Sequence, residues 1–201
     1  MSIRERRERQ KTATRDGILA AAHEIARAEG WGAVTIRRIA DAIEYSAPVI
    51  YEHFASKDAV LSALQRTGFE QLVAALGQTG EEPDRLLQMA HAYWKFAERS
   101  PELDRLMHGW ESASLPLEDT LTGARKAAAV VYEALDAWAE EKNVTLADPQ
   151  GMVETIWAVL HGLATIGRMD RLGGGPERGE QLAVQAVEDL LFAWAAKKEA
   201  V

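Results

Sequence analysis

The sequence predicts an all-α protein of about nine helices, and three observations carry that prediction. Apolar residues return at three- and four-residue spacing, as at Ile18, Leu19, Ala22, Ile25 and Ala26. Helix-starting residues punctuate the pattern: Thr35 before Ile36, Ser46 with Pro48, Ser56, and Asp148 with Pro149. No segment sustains the two-residue alternation of a half-buried strand.

The elements follow in order. A first helix over about Ala13–Glu29 is stopped by the glycines of EGWG, Glu29 to Gly32. Thr35 caps a second through Ala42, with Arg38 where a capping box would need Glu or Gln. Ser46 caps a third through His53, whose first turn tolerates Pro48 because that N–H has no helical partner anyway. Ser56 caps a fourth running to about Thr79. Pro83 opens a fifth through Arg99, and Pro101 a sixth through about Glu111. A long seventh covers Leu117–Lys142, and the eighth runs from Pro149 to near the turn Arg171–Pro176. The ninth spans about Glu177–Lys198.

Composition sets the outer limits. With 201 residues, 47% hydrophobic and 27% charged, the chain can build one sizeable core or two small domains. No apolar run reaches the roughly 18 residues that a membrane span needs, so no membrane partner is expected. The charged N-terminus, MSIRERRERQKTATR, lacks the apolar core of a signal peptide, and a cytoplasmic location is expected. The absence of cysteine excludes disulfides, zinc–thiolate sites and thiol nucleophiles.

A formal charge of −8 argues against nucleic acid until its distribution is seen. Residues 1–66 hold eleven basic and nine acidic side chains, whereas the remainder carries a net of −10. Six basic residues fall within the first fifteen. A basic head on an acidic body can bind phosphates locally. Without such a partner, residues 1–12 are expected to form a solvated, disordered tail.

The third helix poses the functional question. On Ser46–Phe54, Ile50 and Phe54 share one face, and Pro48 and Glu52 lie opposite with Val49 and Tyr51 on the flanks. The first three helices, with the four-residue connection Ile43–Ser46, match a helix-turn-helix. That arrangement buries Ile50 and Phe54 and turns the other face to a DNA major groove, where thymine methyl groups accept apolar contacts.

The residues then carry a resemblance. Thr35–Leu61, TIRRIADAIEYSAPVIYEHFASKDAVL, resembles the DNA-binding domain of the TetR family of bacterial transcriptional regulators, over roughly Arg15 to Leu64. Its specific features are Ile39-Ala40, the run Tyr51-x-His53-Phe54, and Ser56-Lys57. The resemblance implies a homodimer on an inverted-repeat operator, with a C-terminal domain whose small-molecule effector alters the hold on DNA. Repression relieved by ligand is the default arrangement. With the chemistry of the side chains, it assigns phosphate contacts to Thr35, Tyr51, His53 and Lys57, joined by Arg37 and Arg38. The alternatives are packing of Tyr51 on the second helix and of His53 at the end of the third. Glu44 stands where members commonly have glycine, so a less strained turn is expected there. Ala47, Pro48 and Val49, beside Ser46, stand where members often have Lys, Gly and Thr. This helix therefore lacks side-chain hydrogen-bonders that many members carry, which shifts readout to Tyr45, Arg37, thymine contacts and DNA shape. Glu52 either accepts from a cytosine amino group or repels phosphate.

In the C-terminal body, IWAVLHGLATIG places Trp157 and His161 four apart, with Gly162 following. Together with Ala92–Met107 it resembles the WHG class of TetR-family C-terminal domains, over about Pro83–Trp194. Tyr93, Trp94, Met107, Trp110, Tyr132, Trp157 and His161 are the candidate effector contacts, the alternative being ordinary core. Such a lining suits an apolar or amphipathic molecule with one or two polar handles. Apolar stripes at Ile156, Leu160, Leu163 and Gly167 and at Ala183, Val187, Leu190, Leu191 and Trp194 are the expected dimer interface, which the resemblance implies is a four-helix bundle between subunits. The alternative is that they face the chain's own core, which absorbs one stripe more easily than both. Residues 1–54 are read as the DNA-binding domain with its basic arm, and 55–201 as the effector-binding and dimerisation domain.

Other chemistries find no support. Gly173–Gly179, GGGPERG, follows a helix rather than a strand and has Glu180 where a phosphate loop needs lysine. HEIAR at His23–Arg27 has Arg27 where a zinc protease has its second histidine, and no G-x-S-x-G occurs. His91, His108 and His161 lie far apart in sequence, so neither metal nor cofactor is expected. The rival class is an all-α enzyme or small-molecule carrier without a specific DNA site.

Overall fold

In the computed structural model, residues 2–80, 84–108 and 115–196 are described. Among them are nine α-helices, one 3-10 turn (Trp31–Ala33) and no strand, the all-α architecture expected. The helices are α1 (Ile3–Glu29), α2 (Ile36–Ala42), α3 (Ala47–His53), α4 (Lys57–Gly77) and α5 (Arg85–Arg99). They continue with α6 (Pro101–Met107), α7 (Leu117–Lys142), α8 (Pro149–Arg168) and α9 (Gly175–Ala196). The expected starting point of the fifth helix, Pro83, and the expected ends of the sixth at Glu111 and the ninth at Lys198 lie outside the described residues.

The chain divides into two compact units, one of residues 1–68 with 102–122, the other of 69–101 with 123–201. The N-terminal unit starts with a difference from expectation. α1 begins at Ile3, so the basic head is helical rather than a disordered tail. Its start is a capping box: the Glu5 N–H donates to the Ser2 hydroxyl at 3.2 Å, and the Ser2 N–H to the Glu5 carboxylate at 2.8 Å. No proline interrupts the run before Gly30, whose φ of +82° closes the helix.

The core of this unit is a small apolar cluster. Ile18, Ala22 and Ala26 of α1, Trp31 and Val34 of the connection, Ile39 and Ala40 of α2, and Ile50 and Phe54 around α3 are all buried. Val60, Leu61 and Leu64 of α4 are buried in the same unit. Polar groups fasten it. The Trp31 Nε1–H donates to the Glu102 carbonyl at 2.9 Å, and His23 Nε2 lies 2.6 Å from the buried Glu102 carboxylate. Burial pushes that carboxyl up, yet the hydrogen bond from His23, a backbone N–H and nearby Arg105 together hold it below its ordinary value. Gln65, also buried, donates to the Leu106 carbonyl at 3.0 Å and accepts from the Thr120 hydroxyl at 3.0 Å.

The turn between α2 and α3 corrects another expectation. Glu44 has φ +58°, so it occupies the left-handed position itself rather than relaxing the turn. The Tyr45 N–H reaches the Ala40 carbonyl at 3.0 Å and the Glu44 N–H the Asp41 carbonyl at 3.4 Å, a Schellman end. Asn143 and Asp170 hold the same conformation after α7 and α8. Ser46 occupies the cap position of α3 but its side chain makes no capping hydrogen bond, whereas the expected caps Thr35, Ser56 and Asp148 do.

The C-terminal unit is built from amphipathic helices. α5 buries Leu86, Met89, Tyr93, Trp94 and Phe96 and packs on α8 and α9, which also pack on each other. α7 contributes Leu135 and Trp138, α8 Val153, Ile156 and Leu160, and α9 Ala183, Val187 and Leu191. Lys95 and His91 of α5 close on Glu180 of α9 at 2.8 and 2.6 Å.

The N-terminal unit yields two predictions. Glu44→Gly removes the steric cost of a left-handed Cβ, only partly offset by backbone entropy, and raises unfolding free energy by about 0.5–1 kcal/mol in urea titrations. For Glu102, a carboxyl held below its ordinary value contributes stability that is present above that value and lost as pH falls through the lower folded one. Glu102→Gln keeps a neutral acceptor for His23 and lowers stability at pH 7 by about 1 kcal/mol. The deficit relative to wild type shrinks below about pH 4 in the same titrations.

Candidate nucleic-acid interface

The helix-turn-helix face is built by what its opposite face buries. Ile39 and Ala40 of α2 and Ile50 of α3 turn inward, with Phe54 locking the end of α3. Seven residues is too short for a helix to persist alone, so both helices depend on that burial. Turned outward are Thr35 and Arg37 on the α2 side, Tyr45 and Ser46 in the turn, and Pro48, Tyr51 and Glu52 on α3. Tyr45 is 46% and Tyr51 55% exposed. The alternative placement of Tyr51, packed on α2, does not fit that exposure. The Arg37 side chain is 90% exposed, with only a loose 3.9 Å approach to Asp41. Ala47, Val49 and His53 are half-buried at the edges of this face.

Two of the predicted cations are already engaged. Arg38 grips Glu29 with both guanidinium nitrogens and also donates to the Ala33 carbonyl at 3.3 Å, while Glu29 is thereby held below its ordinary carboxylate value. Lys57 Nζ donates to the Trp31 carbonyl at 3.2 Å. Arg15, which was not among the sequence candidates, donates to the His53 carbonyl at 3.2 Å and lies 4.2 Å over the Phe54 ring. Only its basic character and its four-residue step from Lys11 signalled it in the sequence.

The predicted effector residues do not form one cluster. Tyr93, Trp157 and His161 come together in the C-terminal unit: the Tyr93 hydroxyl is 3.3 Å from His161 Nδ1, and Trp157, 47% exposed, stacks on the His161 ring with centroids 5.8 Å apart. Trp94 goes elsewhere, its indole edge resting where side chains at Gly167 and Gly179 would stand. Tyr132 is half-buried on α7, Met107 is buried against Gly68 in the N-terminal unit, and Trp110 lies outside the described residues. A cleft of about 220 Å³ lies in the C-terminal unit, lined by Glu98, Arg168, Asp170 and Leu172 among others. No residue singled out as an effector contact lines it, and Gly167 does.

The predicted dimer residues also divide. Ile156, Leu160, Ala183, Val187 and Leu191 are buried within their own unit and complete its core without a partner. Leu163, Gly167, Leu190 and Trp194 remain half-exposed. The outward side of α8 carries Ala158 and Ile166, Met169 is exposed just past its end, and Gly162 has open space over it rather than a neighbouring helix. Phe192 on α9 is 76% exposed.

The fold and the exposed α2–α3 face define a helix-turn-helix protein of the DNA-binding class. Comparison with known proteins carries this to a family. The model for bacterial regulatory proteins of the tetR family matches residues 18–64, and that for the tetracyclin repressor-like C-terminal domain matches residues 86–190. No curated protein matches the chain. Among solved structures, a protein of unknown function from Rhodococcus sp. RHA1 superposes with a TM-score of 0.80 at 24% identity, covering 90% of this chain and 95% of its own. The TetR-family transcriptional regulator PfmR from Thermus thermophilus gives 0.67 at 21%, covering 88% and 95%. The fatty acid degradation regulator FadR from Bacillus halodurans gives 0.72 at 18%, covering 86% and 93%. The chain belongs to the TetR family, and is a ligand-responsive, DNA-binding transcriptional regulator. Among the described residues, no helix is long and apolar enough to cross a membrane.

The Trp94 contact gives a prediction for the C-terminal unit. Alanine at position 179 gains about 1 kcal/mol of helix propensity, but its Cβ meets an indole that is itself buried, and overpacking costs about 1–3 kcal/mol. Gly179→Ala therefore has a lower midpoint in thermal unfolding and an altered near-ultraviolet tryptophan signal. Gly167→Ala, where the contact is 3.2 Å, shows a smaller change.

Proposed function

We propose that this regulator is a homodimeric repressor that binds an inverted-repeat operator and is released from it by a small apolar or amphipathic effector. The carrying observation is the α2–α3 surface, which leaves Arg37, Tyr45, Ser46, Pro48 and Tyr51 to solvent while its anchors are buried. Thr35, Arg37 and Tyr51 are assigned to phosphates, and Tyr45, Ala47, Pro48 and Val49 to base edges and thymine methyl groups. Arg38, His53 and Lys57 shape this surface and reach phosphate only from their half-buried positions. Residues 1–54 carry DNA binding and residues 55–201 effector binding and dimerisation. A cytoplasmic site of action and the absence of catalysis belong to this reading.

The dimer is assigned to the outward sides of α8 and α9. Ala158, Gly162 and Ile166 fall on one side of α8, with Met169 just past its end, and small residues there let a second copy approach closely. Leu163, Leu190, Phe192 and Trp194 extend that surface, giving a four-helix bundle between subunits. The effector is assigned to the neighbourhood of Tyr93, Trp157 and His161, where an aromatic stack and a hydroxyl–imidazole pair supply an apolar surface with a polar handle. The 220 Å³ cleft is smaller than the roughly 300 Å³ at which drug-sized pockets begin.

The test begins with genomic DNA of the host organism. Purified protein retains a few fragments that share an inverted repeat, and sediments as a dimer. Tyr51→Phe and Arg37→Gln weaken binding to all sequences together, Arg37→Gln lowering the log–log salt slope by about one. Changes at Pro48 or Val49 alter which fragments are retained. An effector found by tryptophan fluorescence weakens operator binding by about five- to 150-fold, and operator weakens effector binding by the same factor. A monomer, or retention without sequence preference, refutes the reading. Ligand binding or turnover without any preferred DNA favours the carrier or enzyme class.

A further inference from the structure

The basic head is absorbed neither by the helix-turn-helix nor by the core. Residues 2–13 are all exposed, so the first turns of α1 stand clear of the cluster that holds the rest of the helix. At 100° per residue, Arg4, Arg7, Lys11 and Arg15 fall within one stripe, spaced three, four and four residues apart. Glu5, Glu8, Arg9, Thr12, Ala13 and Asp16 line a shallow groove together around the other side. The two signs are therefore largely segregated by face. Glu8, at the border, forms no ion pair with Arg4 or Lys11 among the described residues, and Arg4, Arg7 and Lys11 have no other hydrogen-bonded or ionic partner there.

This arrangement opposes the helix that carries it. Arginines in the first turn and a half sit at the positive end of the helix dipole. Like charges at i,i+3 and i,i+4 repel one another along the stripe. Glu5, in the capping box, counters only part of this. An anion lying along the stripe removes both penalties. The folded end of the stripe shows which anion: Arg15 is fixed to the His53 carbonyl at the end of α3, the helix assigned to the major groove. From Arg15 to Arg4 the helix rises about 16 Å, and duplex DNA presents a phosphate charge for roughly every 1.7 Å of its axis.

We infer that Arg4, Arg7 and Lys11 form a helical rail that binds the DNA phosphate backbone beyond the reach of α2 and α3. The inference rests on the regulator reading for the placement of α3, but its test does not need an operator. The rail contributes sequence-independent affinity and enlarges the footprint, leaving the choice of sequence to α3.

The full chain is compared with two doubly substituted variants that each remove two positive charges: Arg4→Gln/Arg7→Gln on the stripe and Arg6→Gln/Arg9→Gln off it. The probe is a random-sequence duplex of about 40 base pairs, titrated between about 50 and 200 mM salt. The stripe variant lowers the log–log salt slope by about two, so wild type loses on the order of ten-fold more affinity than the variant across that range. The off-stripe variant keeps the wild-type slope, and circular dichroism shows both folded alike. Equal slope changes in the two variants would mean a diffuse charge rather than a rail and overturn the inference, as would no change in either. Loss by the stripe variant of binding to phosphatidylglycerol vesicles, with DNA binding untouched, assigns the stripe to a membrane surface and also overturns it. If wild type prefers no genomic fragment but the stripe variant still shows its slope change, the operator reading fails and the rail stands.

Discussion

Two seven-residue helices carry the DNA-facing surface, and neither can hold its shape without tertiary support. Everything at that surface depends on one small core, in which Ile50 and Phe54 are buried along with Ile39, Ile18, Ala22 and Val34. Each such side chain contributes about 1.5–3 kcal/mol when fully buried, well above what two isolated turns of helix supply. The exposed face of α3 is thereby freed from any role in stability. Pro48 and Tyr51 can point outward because Ile50 and Phe54 do the anchoring.

Around that core, charged groups act as fasteners as much as contacts. His23 and the Trp31 indole both converge on Glu102, one on its carboxylate and the other on its carbonyl, tying α1 and the 3-10 turn to α6 within the N-terminal unit. Arg38 joins α2 to the end of α1 through Glu29, and Lys57 joins the start of α4 to Trp31. A basic side chain near a helix-turn-helix is thus not automatically a phosphate contact. Arg37 and Arg38 are neighbours in sequence, but one projects into solvent and the other is held by a carboxylate and a carbonyl.

The C-terminal unit follows a different logic, in which long amphipathic helices bury one side and leave the other. Trp94 shows how closely that packing is set, since its ring occupies the space that two glycines on α8 and α9 leave open. Gly162 has the opposite surroundings, with nothing over it in the folded chain. The same residue type in neighbouring turns of one bundle therefore serves an internal contact at Gly167 and an outward surface at Gly162.

The periodicity of the sequence determined the all-α class, most helix limits and the helix-turn-helix, because burial of one face every 3.6 residues and the caps Thr35, Ser56 and Asp148 are local rules. The Ser2–Glu5 capping box was equally local and legible, and the charge of the surrounding head obscured it. Glu44, Asn143 and Asp170 were harder to place, since a left-handed helix end is expected at glycine and any other residue accepts it at modest cost. Only the tertiary structure decided which side of each C-terminal helix faces inward. Ile156 and Ala183 read as well for a partner as for the chain's own core, because an apolar stripe carries no mark of what covers it. It likewise separated Trp94 from Trp157 and Arg38 from Arg37. Spacing along one helix specifies a face, and the partner of that face comes from a distant part of the chain.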